Sequence, residues 1–478
     1  MQPSLTVTVD RVGAEGDGIA TAPDGTTLYI PDALPGELMR AEPLRRQGDG
    51  WLAACESILR ASEARVPPPC SHFGSCGGCV LQHWRDAEYR AWKTSLLERA
   101  LRRAGFVNPQ IAPIHVTPPR SRRRMDLAAQ RTPHGVVVGL HSRIAIPLPA
   151  ARHRGAKRID GAGRAHGAKQ IAGTKQMSGT VDGTKPIHGN ARVPRSPGLI
   201  CDLTECQVLH PALFALVAPL RSLLTRLQSL HRDASIIANL LDHGIDLLLR
   251  TDAALDRSGR DHLIDFARTH RLLRLSTAPM RGEPEPVVVL QPPTITLSGV
   301  TVEPPPGAFL QASPEGEAAI VQAVLAGLPD KLPARARVAE LYAGSGSLTF
   351  ALAQRARVAA WEGDIAAAGA LRQAANRAAM AGRVEVAQRD LARQPILPIE
   401  LASFAAVVLD PPFAGAAAQM AQIAAAKPAR VIYVSCNPAV LARDARMLHD
   451  AGYQLRAATP VDQFLWSALL ESVVTFVR

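Results

Sequence analysis

The chain has 478 residues, enough for about three domains, and 47% of them are hydrophobic while 20% are charged. It contains no run near the roughly 18 apolar residues of a membrane span and begins without a basic segment followed by an apolar one, so we expect a cytoplasmic protein without membrane contact. A formal net charge of +12 favours a nucleic-acid partner, whereas an aromatic content of 4% argues against a broad base-stacking surface.

The pattern of residues 1–59 predicts a small β-barrel. Val7 and Val9, and then Leu28 and Ile30, recur with the period of two that is typical of half-buried strands, and Asp-Gly pairs lie between them as turns. Three consecutive prolines soon afterwards mark a boundary.

Residues 60–305 form the predicted central domain. Within it, large apolar side chains at helical spacing predict a helix over residues 84–106, which we expect to pack on the catalytic domain. Residues 151–197 repeat small Gly-Ala-Lys-like units, and ten basic residues stand against two acidic ones between 151 and 195. This composition predicts a disordered basic insertion, either neutral in function or an auxiliary phosphate-binding arm. Much of the net charge lies there, so net charge is weak evidence for RNA binding.

Residues 306–478 alternate apolar strands with helices. This alternation predicts a doubly wound parallel sheet that binds its ligands at the carboxyl ends of its strands. Predicted strands lie at RVAELYAG, RVAAWEGD, FAAVVLDPP, RVIYVSC and LESVVTFVR, and predicted helices at EGEAAIVQAVLAGL, GALRQAANRAAM and AVLARDARMLHDAG.

The spacing Cys70-x5-Cys76-x2-Cys79 predicts a metal site. Gly77 and Gly78 let the backbone wrap closely around a bulky ligand, and seven cysteines, an odd number, argue against a disulfide framework. A mononuclear zinc site usually has a second x2 pair, so this spacing favours a [4Fe–4S] cluster over zinc or inert buried thiols. The fourth thiolate would come from Cys55, Cys201 or Cys206.

A strand that ends in Gly344-x-Gly346 before a helix is typical of a nucleotide-binding loop. Glu362, at the end of the next strand, can bind two ribose hydroxyls, and Asp390 follows the strand after that. Together these signals favour a class I methyltransferase over a dehydrogenase-like unit, which would prefer a fuller glycine motif.

Two further strand ends carry reactive groups. The turn Asp410-Pro411-Pro412-Phe413 is frequent in methyltransferases that act on planar nitrogenous rings, and alone it favours an amino-directed N-methyltransferase. Cys436 follows the next strand and opens a helix, where we expect the helix N-terminus to lower the thiol pKa.

A cysteine at this place suits methylation of a pyrimidine at C5. That carbon is too poor a nucleophile to accept a methyl group until a thiolate adds at C6, and a base must later remove the C5 proton. Glu471, in the last strand, is the candidate base. The alternatives are a structural cysteine and a surface ion-paired glutamate, and an N-methyltransferase would leave both residues without a role.

The cysteine motif followed by LQHW, the loop ELYAGSG, the DPP turn, SCNPAVLARD and the glutamate of the last strand, in this order, resemble the RNA uracil-5-methyltransferase family. The resemblance is to its 23S ribosomal RNA branch, which has a TRAM domain and a [4Fe–4S] cluster. It implies an α/β protein: a C-terminal class I (Rossmann-like) methyltransferase domain, an N-terminal OB-like barrel of the TRAM type, and a central iron-sulfur α+β domain. It further implies S-adenosyl-L-methionine as cofactor, a monomer, and 23S ribosomal RNA as the substrate that receives 5-methyluridine.

Carried over position by position, the resemblance makes Cys206 the fourth cluster ligand beside Cys70, Cys76 and Cys79, Cys436 the nucleophile and Glu471 the base. It places the cofactor contacts at Gln311, Tyr342, Ser347, Glu362, Asp390 and Asp410. Three positions depart from the family, with Ser347, Phe413 and Leu469 where asparagine, arginine and histidine are usual. Two alternatives remain open: a tRNA uracil-5-methyltransferase, although such relatives typically lack the barrel and the cluster, and a non-catalytic RNA-binding iron-sulfur protein.

Overall fold

A closed five-stranded barrel forms the amino-terminal part of the computed structural model, which describes residues 4–143 and 200–478. The strands are β1 (Leu5–Val12), β2 (Gly18–Thr21), β3 (Thr27–Ile30), β4 (Leu38–Gln47) and β5 (Gly50–Arg60), in the order β1-β2-β3-β5-β4. Val7, Val9, Leu28 and Ile30 are buried inside it, which confirms the predicted alternation. The predicted basic insertion lies outside the described residues.

A seven-stranded sheet follows in the central part. This segment contains α1 (Asp86–Arg103), β6 (His115–Val116), β7 (Arg124–Thr132), β8 (Gly135–His141), β9 (Ile200–Asp202), α2 (Pro211–Phe214), α3 (Val217–Arg226), β10 (Asp233–Leu240), β11 (Ile245–Thr251), α4 (Arg257–Thr269), β12 (Arg274–Pro279), β13 (Glu285–Val289), β14 (Ile295–Leu297) and β15 (Val300–Val302). The sheet order is β13-β12-β11-β10-β7-β8-β9, and α3 and α4 share its apolar core. The strands β14 and β15 form a separate hairpin.

An eight-stranded sheet organises the carboxy-terminal part. Its elements are α5 (Pro314–Gly327), β16 (Arg337–Leu341), α6 (Thr349–Ala353), β17 (Arg357–Glu362), α7 (Ile365–Arg377), β18 (Val384–Gln388), α8 (Pro398–Leu401), β19 (Ala406–Leu409), α9 (Ala417–Ala426), β20 (Arg430–Ser435), α10 (Pro438–Asp450), β21 (Gln454–Asp462) and β22 (Glu471–Val477). The order is β18-β17-β16-β19-β20-β22-β21-β6. Strands β16 to β20 run parallel, while β22 is antiparallel to both of its neighbours.

The strand order reverses at β16, which lies between β17 and β19. In an open α/β sheet such a switch point leaves a crevice at the carboxyl ends of the strands, where ligands bind. All four residues of β19 are buried, as expected for a parallel strand that is covered on both faces. The predicted doubly wound sheet is therefore confirmed. None of the helices in the described ranges is both long and apolar enough to cross a membrane.

Helix α1 precedes the central sheet in the chain but packs against α10 and β21 of the carboxy-terminal sheet. At this contact Lys93 Nζ lies 2.9 Å from Asp462 Oδ1, and both side chains are fully buried. The hydroxyl of Tyr89 donates to the other oxygen of Asp462. A buried ion pair with further hydrogen bonds thus fixes α1 to the last residue of β21.

The same contact holds the segment 463–470, which joins β21 to β22 and is called the base loop below. The Lys93 ammonium also donates to the carbonyl oxygen of Leu469, and the Trp466 N–H donates to the Tyr89 hydroxyl over 2.8 Å. Residues 70–81, which contain the Cys70, Cys76 and Cys79 motif, are called the cysteine segment below. Its Val80 and Leu81 N–H groups donate to the Trp466 carbonyl oxygen at 2.8 and 3.1 Å. The base loop is therefore held by two segments far away in the chain.

We expect Lys93→Met to lower the free energy of unfolding by about 3–5 kcal/mol, because it leaves the Asp462 carboxylate buried without its cation. Urea unfolding of the purified protein measures this loss. The matched control is Arg446→Met, which removes the cation of an exposed pair with Asp450 in α10 and should leave the unfolding midpoint unchanged. Equal midpoints for the two variants would contradict a structural role of the buried pair.

Candidate active site and cysteine cluster

The loop after β16 has the backbone of a ligand-binding turn. Tyr342, Gly344 and Gly346 adopt φ values of 65°, 58° and 108°. A positive φ is strained for a residue as bulky as tyrosine, and such strain is concentrated at functional sites. A Cβ atom added at Gly344 would meet nothing within 4 Å, so the loop borders open space there. A cofactor can approach this backbone closely.

Glu362 supports the same loop from the end of β17. Its two carboxylate oxygens accept hydrogen bonds from the N–H groups of Gly344 and Asp364, each over 2.7 Å. A carboxylate oxygen has room for a second bond, so Glu362 remains able to bind ribose hydroxyls. Asp390 is exposed and accepts from the Ala392 N–H at 3.0 Å.

Four of the predicted cofactor residues meet at this edge of the sheet. Burial, and then the charges of Asp444, Asp390 and Glu362, raise the pKa of the Tyr342 hydroxyl. Ser347 is half-buried in the same loop.

Gln311 and Asp410 lie deeper in the crevice. The Gln311 amide nitrogen donates to Asp410 Oδ2 over 3.1 Å, and Gln311 is only 3% exposed. The Asp410 N–H donates to the carbonyl oxygen of Leu341, which joins the ends of β19 and β16. Burial raises the pKa of the Asp410 carboxyl.

Cys436 lies between the end of β20 and the start of α10. Asn437 caps that helix by accepting from the Ala439 and Val440 N–H groups, and its amide nitrogen donates to the Phe413 carbonyl oxygen over 3.3 Å. The DPP turn is thus bound to the residue that follows Cys436, as the positions of both segments at neighbouring strand ends predict.

The prediction that the helix N-terminus lowers the pKa of the Cys436 thiol is wrong. Burial, and then the negative charges of Glu471 and Asp410, raise the pKa of the thiol. Asn437 takes up the first N–H groups of α10, so the helix N-terminus does not outweigh two nearby carboxylates.

Glu471 begins β22 and is 3% exposed. Its Oε2 accepts from the Gln463 amide nitrogen over 2.8 Å, whereas its Oε1 is buried without a hydrogen-bond partner among the described residues. Burial, and then the charge of Asp410, raise the pKa of the carboxyl. These contacts exclude the alternative of a surface ion-paired glutamate, and they leave one oxygen free to take a proton.

The four predicted cluster cysteines are neighbours. Burial raises the pKa of the Cys79 thiol, and the charges of Cys76, Cys206 and Cys70 raise it further. Backbone N–H groups already donate to two of the sulfurs, from Gly78 to Cys76 and from Val208 and Leu209 to Cys206. All of the cysteines are free thiols.

The other two cysteines have different surroundings. Cys55 is exposed on barrel strand β5, and Cys201 Sγ lies 3.7 Å from both His72 Nδ1 and Ser75 Oγ. Within residues 4–143 and 200–478, no group of three His, Cys, Asp or Glu side chains is arranged to hold a single metal ion.

Gly77 is needed for a reason that the sequence did not indicate. A Cβ atom there would lie 2.5 Å from the carbonyl oxygen of His141. The close approach is therefore to strand β8, which fixes the cysteine segment on the central sheet.

Sequence reasoning missed Gln463, Lys93 and Glu340. Glu340 is buried in β16, where desolvation raises its pKa to about 8. The burial of Lys93 could have been predicted, because Lys93 lies four residues from both Tyr89 and Leu97 and so falls on the same buried face of α1. Nothing in the sequence indicates the role of Gln463, since a glutamine that follows a strand is common in proteins of every function.

Comparisons with known proteins bear on the whole chain. Residues 317–478 match the model of the tRNA (Uracil-5-)-methyltransferase family. An uncharacterized RNA methyltransferase of Caulobacter vibrioides is 35% identical over 99% of both chains. A 23S rRNA (uracil(1939)-C(5))-methyltransferase of Chromohalobacter salexigens is 31% identical over 99% of this chain and 89% of the relative.

A solved structure shares the fold over the full length. It is the tRNA (uracil-54, C5)-methyltransferase of Pyrococcus abyssi in complex with S-adenosyl-L-homocysteine, with a TM-score of 0.65, 18% identity and coverage of 99% of both chains. A tRNA enzyme can thus share this architecture from end to end, so the architecture does not separate rRNA from tRNA substrates.

We expect Glu471→Gln to stabilise the protein above neutral pH. A carboxyl whose pKa is raised on folding contributes stability below its unfolded pKa of about 4.3, and that contribution is lost as the pH rises through the folded value. The neutral amide avoids the loss. The variant should gain about 1–3 kcal/mol over the wild type at pH 8, and the gain should vanish near pH 4.

Thermal unfolding at a series of pH values measures this difference. Glu63→Gln, at an exposed glutamate, is the control and should show no pH-dependent gain. A gain in Glu471→Gln that is the same at every pH would mean that the carboxyl charge is not the cause.

Proposed function

Because the chain belongs to the RNA uracil-5-methyltransferase family, whose enzymes have the class I S-adenosylmethionine-dependent fold, we propose that it methylates C5 of a specific uridine in 23S ribosomal RNA. The product would be 5-methyluridine, formed in the cytoplasm by the monomer. One observation carries the proposal: the half-buried Cys436 and Asp410 and the buried Glu471 lie at one edge of the sheet, close enough for the carboxylates to raise the thiol pKa.

Cys436 would act as the nucleophile. Its sulfur adds to C6 of the uracil, and the electrons of the C5–C6 double bond move to C5, which then accepts the methyl group. The thiol must release its proton to solvent before this step, because Glu471 has to remain free for the C5 proton, although burial and two carboxylates hold the thiol proton in the free protein. We infer that the thiol ionises only when the cleft is filled and the local charge changes.

Glu471 would complete the reaction. Its free Oε1 takes the proton from C5, the double bond between C5 and C6 forms again, and the C6–S bond breaks to release the Cys436 thiolate. A raised carboxyl pKa suits a base that accepts a proton near neutral pH.

S-adenosyl-L-methionine would supply the methyl group and a positive sulfonium charge. The residues present fit it: an open cradle at Gly344, acidic groups at three strand ends, and a buried amide beside one of them. The residues that would hold it are Gln311, Tyr342, Ser347, Glu362, Asp390 and Asp410.

Two of the three departures from the family, Phe413 and Leu469, would concern the RNA side of the cleft. Phe413 and Leu469 are half-buried, and their carbonyl oxygens are held by Asn437 and Lys93. We propose that they contact the base through apolar surface where relatives use charge. The barrel would contact RNA as a TRAM domain, and Arg46, stacked 5.1 Å from the centre of the Trp51 ring, gives it a cationic surface.

Methylation of a tRNA uridine is the second candidate, because the family model that residues 317–478 match is named for tRNA. We place it second because the relative that is 31% identical over 99% of this chain is named for 23S rRNA. A non-catalytic binding protein would leave Cys436 and Glu471, which lie near each other at one edge of the sheet, without a role.

We expect the purified protein to form 5-methyluridine in unmodified 23S rRNA. The assay uses anaerobically purified protein, labelled S-adenosyl-L-methionine and digestion of the RNA to nucleosides. Unmodified tRNA is incubated in parallel, and Cys436→Ala is the inactive control. Label in tRNA alone would replace the first candidate by the second, and label in a nucleoside other than 5-methyluridine would overturn both.

We further propose that Cys70, Cys76, Cys79 and Cys206 hold a [4Fe–4S] cluster. The anaerobically purified protein should then be brown and contain about four iron atoms per chain, and Cys76→Ser should be colourless. Cys55→Ser, at an exposed position away from the four thiols, should keep the colour. A colourless wild type that contains zinc would contradict the cluster, and loss of iron in Cys55→Ser would contradict the ligand set.

A further inference from the structure

Gln463, the first residue of the base loop, uses every polar atom of its side chain. Its Oε1 accepts from the Ala312 N–H over 2.9 Å. Its Nε2 donates to Gln311 Oε1 over 2.7 Å and to Glu471 Oε2 over 2.8 Å. One buried amide group therefore connects the candidate base with a candidate cofactor residue.

The direction of these bonds is fixed by chemistry. A backbone N–H can only donate, so the Gln463 oxygen must face Ala312 and its nitrogen must face Gln311 and Glu471. Gln311 then turns its oxygen to Gln463, and its nitrogen can donate to Asp410 Oδ2. Both carboxylates at the centre of the site thus receive N–H donors from a network oriented by the backbone.

We propose that Gln463 is a positioning residue that orients the Glu471 base and the Gln311 cofactor contact together. This inference rests on the proposed function. Gln463 holds Glu471 Oε2, and Oε1 is then the oxygen without a hydrogen-bond partner among the described residues. Asp410 and Cys436 are the other ionisable groups that act on Glu471 or feel its charge, and a negative charge on either would repel the carboxylate. Gln463 supplies the hydrogen bond that favours its charged form.

The surroundings leave Gln463 little freedom to turn away. A Cβ atom at Gly316 in α5 would lie 2.8 Å from the Gln463 Cβ, so the helix approaches as closely as a glycine allows. On the other side, the preceding residue Asp462 is bound to Lys93. Gln463 is thus restrained by α5 at its own Cβ and by α1 through the preceding residue, and such restraint is what a positioning residue requires.

The test replaces Gln463 by Met, which keeps the length of the side chain but removes its donors and acceptor. Gln463→Glu is the second variant, because its carboxylate still accepts from Ala312 and cannot donate to Glu471. Gln419→Met is the matched control, since Gln419 is also fully buried and makes two hydrogen bonds, both to the backbone of Ile396.

The first readout is infrared titration of the Glu471 carboxyl band in the full-length protein, with Glu471→Gln as the blank. We expect the pKa of Glu471 to rise by about one unit in Gln463→Met and further in Gln463→Glu, and to stay unchanged in Gln419→Met. This readout needs no RNA and no turnover, so it separates failure of this inference from failure of the proposed function. An unchanged titration in both Gln463 variants would overturn the inference.

The second readout is the pH profile of kcat/KM for 5-methyluridine formation. Its acid limb should move by about one unit to higher pH in Gln463→Met, with activity recovering at alkaline pH, and KM for S-adenosyl-L-methionine should rise several-fold because Gln311 loses its partner. An equal loss at every pH with an unchanged KM would show a merely structural role and overturn the inference.

Discussion

The buried Lys93–Asp462 ion pair holds the rest of the site in place. It binds a helix that precedes the central sheet to the end of β21, and the same ammonium and the Tyr89 hydroxyl bind the base loop. Glu471 follows that loop directly. A base must stay within hydrogen-bonding reach of the proton it takes. The position of the proposed base, Glu471, therefore depends on a contact between segments more than 350 residues apart in the chain.

The cysteine segment reaches the same loop through the Trp466 carbonyl oxygen. The proposed cluster would therefore act on catalysis mechanically, by fixing the backbone that follows Cys79. The centre of the site carries the opposite constraint. Burial raises the pKa of Asp410, Glu471 and Cys436, the charge of Asp410 raises the pKa of Glu471 further, and both carboxylates raise the pKa of Cys436. Burying these ionisable groups lowers the local stability of the fold. The hydrogen bonds that run from Ala312 through Gln463 and Gln311 to the two carboxylates offset part of that loss.

The sequence was sufficient to predict the parallel sheet and the strand ends that carry Glu362, Asp410 and Cys436, because a parallel sheet gathers its carboxyl ends at one edge whatever its detailed packing. It was insufficient for Gln463 and Lys93, whose roles depend on which side chains meet across distant segments. The thiol pKa of Cys436 was mispredicted for the same reason: the position at a helix start is local, but the burial and the two carboxylates are tertiary. The role of Gly77 was likewise hidden until strand β8 was placed beside it.

The central claim is that Cys436 bonds to the RNA base and Glu471 releases it. The most direct measurement is mass spectrometry of Glu471→Gln after incubation with S-adenosyl-L-methionine and unmodified 23S rRNA, followed by denaturation and nuclease digestion. The account predicts a peptide containing Cys436 that carries a methylated uridine, and its absence when Cys436→Ala is added to the same variant. An adduct on another residue, or none in a folded variant while the wild type forms 5-methyluridine, would contradict it.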